Sequence, residues 1–241
     1  MNNAGIRVEG VAKRLKETEA LSPITMEFNP ATLHGIIGPD GAGKTTLMRL
    51  LIGLLSPDAG HISYLAGGAP IPFADLRPEM AYMPQQQSLY PDLSVEEHLE
   101  FFRELYRIAP EIYSERRDKL LHLTRLEQFR DRPAGKLSGG MYKKLGLMCA
   151  LLQSPRVVLL DEPTNGVDPI SRREFWDLLH GLVEEGILVI ITTAYMDEAE
   201  RCGKVHILDS GRLLASGEPR SVLLSEGVSS FEELFLRVES K

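Results

Sequence analysis

Cysteine is scarce in this sequence. Among 241 residues only Cys149 and Cys202 occur, and no CxxC spacing is present. That excludes a disulfide framework or a thiolate metal cluster; each thiol sits alone in what reads as a helix and is expected to be buried, in a reducing compartment. Long apolar runs are missing too. A stretch such as 186–191 falls far short of the roughly 18–20 residues that cross a bilayer, and the first residues lack the charged flank and apolar core of a secretory signal. The expected location is the cytoplasm, with any membrane role exerted through a partner. Nor is there an excess of positive charge: 27 Lys and Arg stand against 34 Asp and Glu, a formal net charge of -7. Coating of nucleic acid needs many cations to neutralise phosphates, so no nucleic-acid partner is expected. Glycine and proline are spread without low-complexity tracts, which leaves only the termini as candidates for disorder.

What is present is an ordinary globular composition on a chain long enough for one large core with a small lobe. Nearly continuous apolar runs at 34–37, 157–160 and 188–192 read as central strands covered on both faces, each followed by a polar turn and a helix. Runs at 6–11, 24–28 and 61–65 read as a more antiparallel layer. Residues 94–153 read as helical almost throughout: Ser94 and Glu97 form a capping box ahead of a helix whose apolar face includes Leu99, Phe102, Leu105 and Tyr106. Strands return at 205–208 and 213–215, and a helix over 231–238 closes the pattern. The fold class expected is α/β, with a mainly parallel sheet, an antiparallel β layer and an inserted helical subdomain. As domains, 1–241 reads as a single unit, with 1–86 and 154–241 forming the core with its β layer and 87–153 the helical subdomain.

Gly38-Pro39-Asp40-Gly41-Ala42-Gly43-Lys44-Thr45 matches G-x-x-x-x-G-K-T between an apolar strand and a helix expected over 45–55. Glycines let backbone N–H groups turn inward around phosphate oxygens, and the helix N-terminus adds its positive end. Lys44 is expected to reach the β- and γ-phosphates and the Thr45 hydroxyl to ligate Mg²⁺, with Thr46 beside them in the phosphate-binding turn. A glycine-rich turn that binds nothing competes poorly, since a chance match with these flanks is well below about one in a hundred.

The run at 157–160 ends in Asp161 and Glu162, at the strand end where open α/β sheets place ligands. Two acids there need a cation. Alone, such a pair is more often a solvated turn; beside a phosphate loop, Asp161 is expected to hold Mg²⁺ and Glu162 to polarise the water attacking the γ-phosphate.

With those elements in place, the sequence resembles the nucleotide-binding domains of ABC transporters nearly end to end, built on a P-loop NTPase core. Leu137-Ser138-Gly139-Gly140 resembles the family signature, Tyr82-Met83-Pro84-Gln85 its glutamine loop, and Asn165-Gly166-Val167-Asp168 its D-loop. The resemblance implies ATP and Mg²⁺ as cofactors and ATP hydrolysis coupled to transport. It implies a second ABC ATP-binding domain as partner, in a homodimer, a heterodimer or a longer fused chain, with ATP between the phosphate loop of one and Ser138, Gly139 and Gly140 of the other. A plain helix N-cap at Ser138 is the competing reading. Gln85 is implied as a contact to Mg²⁺ and the attacking water; a solvated loop is its alternative. Integral membrane permease subunits are the other implied partners, placing the chain at the inner face of the membrane. Leu89, Tyr90, Phe101 and Phe102 fit either the surface that receives them or the core of the lobe.

Three positions depart from the family pattern. Ala194 stands where a switch histidine normally contacts the γ-phosphate, Leu15 where an aromatic residue normally stacks on adenine, and Met141 where glutamine commonly follows the signature. A methyl group can neither donate to a phosphate nor hold a water, and leucine offers no π-face. One reading is a slow site paired with a competent one; others are an alanine introduced to trap ATP, or replacement of the histidine by His180 or His206. The segment from Thr193 to Glu200 and the Gly166-Val167-Asp168-Pro169 string resemble the drug-export and ABC-2 type branch. The alternatives to a transporter subunit are an ATP-binding regulatory module and a soluble non-transport ABC ATPase, the second of which usually carries two such domains or a long coiled coil.

Overall fold

The computed structural model describes residues 3–86 and 88–239; Gln87, where the helical segment was expected to begin, and the extreme ends lie outside the described residues. In chain order the elements are β1 (Ala4–Leu15), β2 (Thr18–Phe28), β3 (Leu33–Ile37), α1 (Lys44–Leu51), β4 (Ala59–Ala66), β5 (Ala69–Ile71), α2 (Phe73–Leu76) and β6 (Met80–Met83). A mainly helical stretch follows, with α3 (Val95–Tyr106), α4 (Pro110–Thr124) and α5 (Gly139–Leu151). The remainder is β7 (Val157–Asp161), α6 (Pro169–Glu184), β8 (Leu188–Thr193), β9 (Lys204–Asp209), β10 (Arg212–Gly217), α7 (Pro219–Glu226) and α8 (Phe231–Glu239).

Six strands form one sheet in the order β10-β9-β3-β8-β7-β6, parallel from β9 to β6 with β10 antiparallel at the edge. Four form an antiparallel sheet, β2-β1-β4-β5. The continuous apolar runs are explained by burial on both faces, and the period of two sorts them. Along β7, Val157 and Leu159 face the layer of α1 and the antiparallel sheet, while Val158 and Leu160 face α5 and α6. β8 divides in the same way, with Leu188 and Ile190 on one side and Val189 and Ile191 on the other. The sheet is therefore covered on both faces where its C-terminal edge carries the phosphate loop.

The capping box at α3 forms as expected: Glu97 N–H donates to Ser94 Oγ at 3.2 Å and Ser94 N–H to Glu97 Oε2 at 2.7 Å. Leu105 departs from its expected place on the apolar face, being 59% exposed. Six residues on from Leu99, it lies about 120° around the helix at 3.6 residues per turn. The first core helix ends four residues before the expected 55, because Gly53 turns left-handed (φ 73°) and the amides of Leu54 and Leu55 fold back onto Arg49 O. Cys202 is buried but follows a short 3-10 turn (Met196–Arg201), whereas Cys149 is buried within α5; both thiols are free. β6 and α7 were not anticipated. The helical stretch is also interrupted over 125–138, where an isolated bridge joins Ser94 to Pro133 and two 3-10 turns connect α4 to α5. Among the described residues no helix is long and apolar enough to cross a membrane.

Candidate functional site

The phosphate loop leaves β3 and is tied at its start to β8 by Gly38 N–H donating to Thr193 O at 3.2 Å. Two different constraints explain its glycines. A Cβ on Gly38 would stand 2.1 Å from Leu208 O, so no side chain fits between the loop and β9. Gly41 and Gly43 instead have φ of 82° and 99°, the left-handed turn that brings the chain into α1. Asp40 projects to solvent, Ala42 is buried beneath the loop, and Thr46 is half-buried in the first turn of the helix.

Lys44, the first residue of α1, folds its ammonium into the loop. Its Nζ donates to Gly38 O at 2.8 Å and Pro39 O at 3.0 Å, and lies 3.3 Å from Glu162 Oε1. Thr45 Oγ1 donates to Asp161 Oδ1 at 3.2 Å. Residues separated by more than a hundred positions therefore meet at the C-terminal edge of the parallel sheet.

Asp161 is fully buried and its two oxygens accept from three hydroxyls: Thr45, Thr192 at 2.6 Å and Tyr82 at 3.3 Å. Burial, reinforced by the Asp161 carboxylate, pushes the Tyr82 phenol up to about 12, which keeps it a donor. The chain then turns through Glu162 with a left-handed φ of 48°, and Glu162 N–H donates to Thr192 Oγ1 at 2.9 Å. A bulky residue holds that conformation only where its surroundings enforce it. The turn aims the carboxylate at Lys44 and exposes its other oxygen to two amides, Gln85 Nε2 at 2.7 Å and Asn165 Nδ2 at 3.2 Å. From α5, Lys143 reaches the carbonyls of Gln85 and Glu162 at 3.5 and 3.4 Å; burial lowers its pKa against the opposing pull of Glu162 and Asp161.

Beside Glu162 lies a cavity of about 160 Å³ bounded by Asp40, Glu162, Thr164, Asn165, Thr193, Ala194 and Tyr195. Ala194 thus borders the carboxylate, and no histidine replaces it there. His206 is buried in β9, where it bonds His34 and Ser216, and His180 is exposed on α6 beside Trp176. The larger clefts lie elsewhere, between α4 and the 182–187 turn and around Ile108, and hold none of the phosphate-loop residues. Chemistry here follows the converging polar groups rather than cavity size.

Ser138 caps α5, accepting from Met141 N–H at 3.3 Å. Gly139 and Gly140 let that helix start tightly against its neighbours: a Cβ on Gly140 would meet Ser171 at 2.4 Å and one on Gly139 would meet Gly166 O at 3.3 Å. Among the described residues no hydrogen bond joins Ser138, Gly139 or Gly140 to the chain's own phosphate loop. Leu15 is 39% exposed at the end of β1, on the hairpin whose Ala20 and Leu21 touch Gly43. Tyr90 and Phe101 are exposed edge-to-face partners on the helical stretch, while Leu89 and Phe102 pack partly against its core. The roles of Thr192, Tyr82 and Lys143 were not anticipated. For Thr192 the sequence offers only a threonine at the end of an apolar run; its place opposite Asp161 comes from the sheet register.

The chain matches known proteins along most of its length. A model of the family described as ABC transporter covers residues 21–165. A probable multidrug ABC transporter ATP-binding protein of Escherichia coli, YbhF, is 44% identical over 234 residues, 96% of this chain but 40% of the relative. The chain therefore spans about two fifths of that protein's length. The Nod factor export ATP-binding protein I of Ralstonia nicotianae is 35% identical, with 92% of this chain and 69% of the relative covered. Among solved structures, an ATP-binding subunit of an ABC transporter superposes with a TM-score of 0.83 at 29% identity, over 97% of this chain and 99% of that one. CbiO1 of Clostridium perfringens, described as part of the ABC transporter complex cbiONQ, gives 0.82 at 29%, over 94% and 92%. From the motif-bearing loop, the acid pair that meets it and these likenesses together, the chain belongs to the ABC transporter family, as one of its ATP-binding domains.

Proposed function

We propose that this chain binds and hydrolyses ATP to drive an exporter, and that its own site turns over slowly. The observation that carries the reading is the meeting of Lys44 and Thr45 with Glu162 and Asp161, at 3.3 and 3.2 Å, on one sheet edge. The backbone of residues 38–46 would cradle the phosphates with Lys44 neutralising their charge, and Leu15 would pack on the base without stacking. The Thr45 hydroxyl, the Asp161 carboxylate and the Gln85 side-chain carbonyl are hard oxygen donors, a set that suits Mg²⁺. When bound there, Mg²⁺ would neutralise phosphate charge. Glu162 would accept the proton of the attacking water, its Oε2 held by the Gln85 and Asn165 amides.

Ser138, Gly139 and Gly140 would serve the nucleotide of a second ABC ATP-binding domain, in a separate chain or joined in a longer one, since they do not reach this chain's own loop. The segment 87–153 would act as a lobe against the core of 1–86 and 154–241. Permease subunits at the inner face of the membrane would dock on it near Tyr90 and Phe101. Export is supported by the names of the multidrug and Nod factor relatives. Ala194 favours the slow site, because the wall facing Glu162 there carries a methyl group in place of a donor.

Equilibrium ATP binding and single-turnover hydrolysis with Mg²⁺ test this. Binding abolished by Lys44→Ala and slow turnover abolished by Glu162→Gln are expected. Absence of any turnover would instead favour a regulatory ATP-binding module, and turnover as fast as a competent family member would overturn the slow site.

A further inference from the structure

Glu162 presents Oε1 to Lys44 and Oε2 to two side-chain amides, but the two amides are not equivalent. Asn165 is held from behind: Tyr195 O–H donates to Asn165 Oδ1 at 3.4 Å while Asn165 Nδ2 donates to Glu162 Oε2 at 3.2 Å. A carboxylate can only accept, so the amide must turn its nitrogen to Glu162 and its oxygen to Tyr195. The string runs one way, from the phenol to the carboxylate. Tyr195 is itself fixed on two sides. Its backbone N–H donates to Thr193 Oγ1 at 3.0 Å, and the Arg172 guanidinium lies over its ring at 4.3 Å. Arg172 is held near Asp197 and Glu198, at 3.9 and 3.7 Å, and buried Glu198 accepts from Thr164 and Trp176. Five of these residues, Glu162, Thr164, Asn165, Thr193 and Tyr195, wall the 160 Å³ cavity that Ala194 also borders.

We propose that Tyr195 and Asn165 are positioning residues for hydrolysis, fixing which lone pair of Glu162 faces the cavity where the attacking water sits. The inference rests on the reading of Glu162 as the base. The methyl of Ala194 offers the water no hydrogen bond, so the direction of the Glu162 oxygen carries more of the alignment. With the Asn165 amide free to rotate, Oε2 would keep only the Gln85 amide and the carboxylate could shift toward Lys44, and small misplacements of a reacting group cost rate heavily.

Hydrolysis of Mg-ATP by the full chain, its Tyr195→Phe and Asn165→Ala variants and the double variant tests the string. Phenylalanine keeps the ring under Arg172, and Asn165 is exposed, so both variants are expected to fold. Each single change is expected to lower kcat by about fivefold to twentyfold with KM for ATP and Tm little altered, and the double should be no slower than Asn165→Ala, because one string breaks once. An unchanged kcat in Tyr195→Phe, losses that multiply in the double, or an effect confined to KM or Tm would overturn it. Wild-type turnover that is absent, or that survives Glu162→Gln, defeats the parent reading and this one together. Turnover abolished by Glu162→Gln but intact in Tyr195→Phe defeats this inference alone.

Discussion

Lys44 and Glu162 form an ion pair 3.3 Å long with side chains 4% and 8% exposed, so each charge depends on the other for its place in the interior. Removing one partner of a buried pair leaves the other uncompensated, which costs more than removing both. Lys44→Met is expected to destabilise the protein by about 2–4 kcal/mol, and Lys44→Met with Glu162→Gln to recover about 1 kcal/mol or more of that. Urea unfolding of the three proteins checks this; a double variant less stable than the single would refute it.

Ala194 lines the cavity beside Glu162, and a histidine there would bring a donor and acceptor to the space where the water is expected. Ala194→His should raise single-turnover hydrolysis by about tenfold to a hundredfold, up to the low end of what a placed polar group contributes. Unchanged turnover with intact ATP binding would show that the limit lies elsewhere.

His34 and His206 form a buried chain: Asn29 N–H donates to His34 Nε2 at 2.9 Å, the rings meet at 3.1 Å, and His206 meets Ser216 Oγ at 2.9 Å. Burial pushes the His34 pKa down to about 3, with the Lys204 charge adding to it; burial lowers His206 well below its ordinary value, helped by His34 and Lys204. Because the folded pKa values lie below those of the unfolded chain, the stabilisation is complete above about pH 6.5 and is lost as pH falls, the unfolded chain taking up protons first. Between pH 7.5 and 5.5 the pair should cost about 2–3 kcal/mol of stability. A His34→Gln/His206→Gln double variant should lose that difference whatever its baseline, while His98, also lowered by burial, contributes equally to both proteins. Denaturant titrations at the two pH values decide it.

Gly38 and Gly41 are constrained for different reasons, and alanine should separate them. At Gly38 the added carbon meets the backbone at 2.1 Å, so Gly38→Ala should cost about 3 kcal/mol, as severe overpacking does. At Gly41 the space is open but φ is 82°, so Gly41→Ala should cost only about 1–2 kcal/mol from left-handed strain. Thermal unfolding that ranks the two the other way would contradict this account of the loop.

The loop was legible because consecutive residues perform its function: a glycine-spaced turn between a strand and a helix binds phosphate through its own backbone, so motif and site coincide along the chain. The same holds for the capping box at Ser94 and for the strands at 157–161 and 188–193, where uninterrupted apolar residues require cover on both faces. Thr192 was not legible as an Asp161 ligand, because the contact comes from the parallel register that sets Asp161 opposite Thr192. Tyr82 reaches the same carboxylate from the neighbouring β6, and the Tyr195, Asn165 and Glu162 string depends on a left-handed turn after β7.

By itself the sequence determined that the chain carries a phosphate loop, an acid pair, and an alanine where the family places its switch histidine, since each is a matter of residue identity at adjacent positions. Only the tertiary structure decided what stands around that alanine. Sheet register and packing, which no local pattern encodes, bring Gln85 from a distant segment onto the Glu162 carboxylate and Tyr195 onto the Asn165 amide that bonds it, beside a small polar cavity.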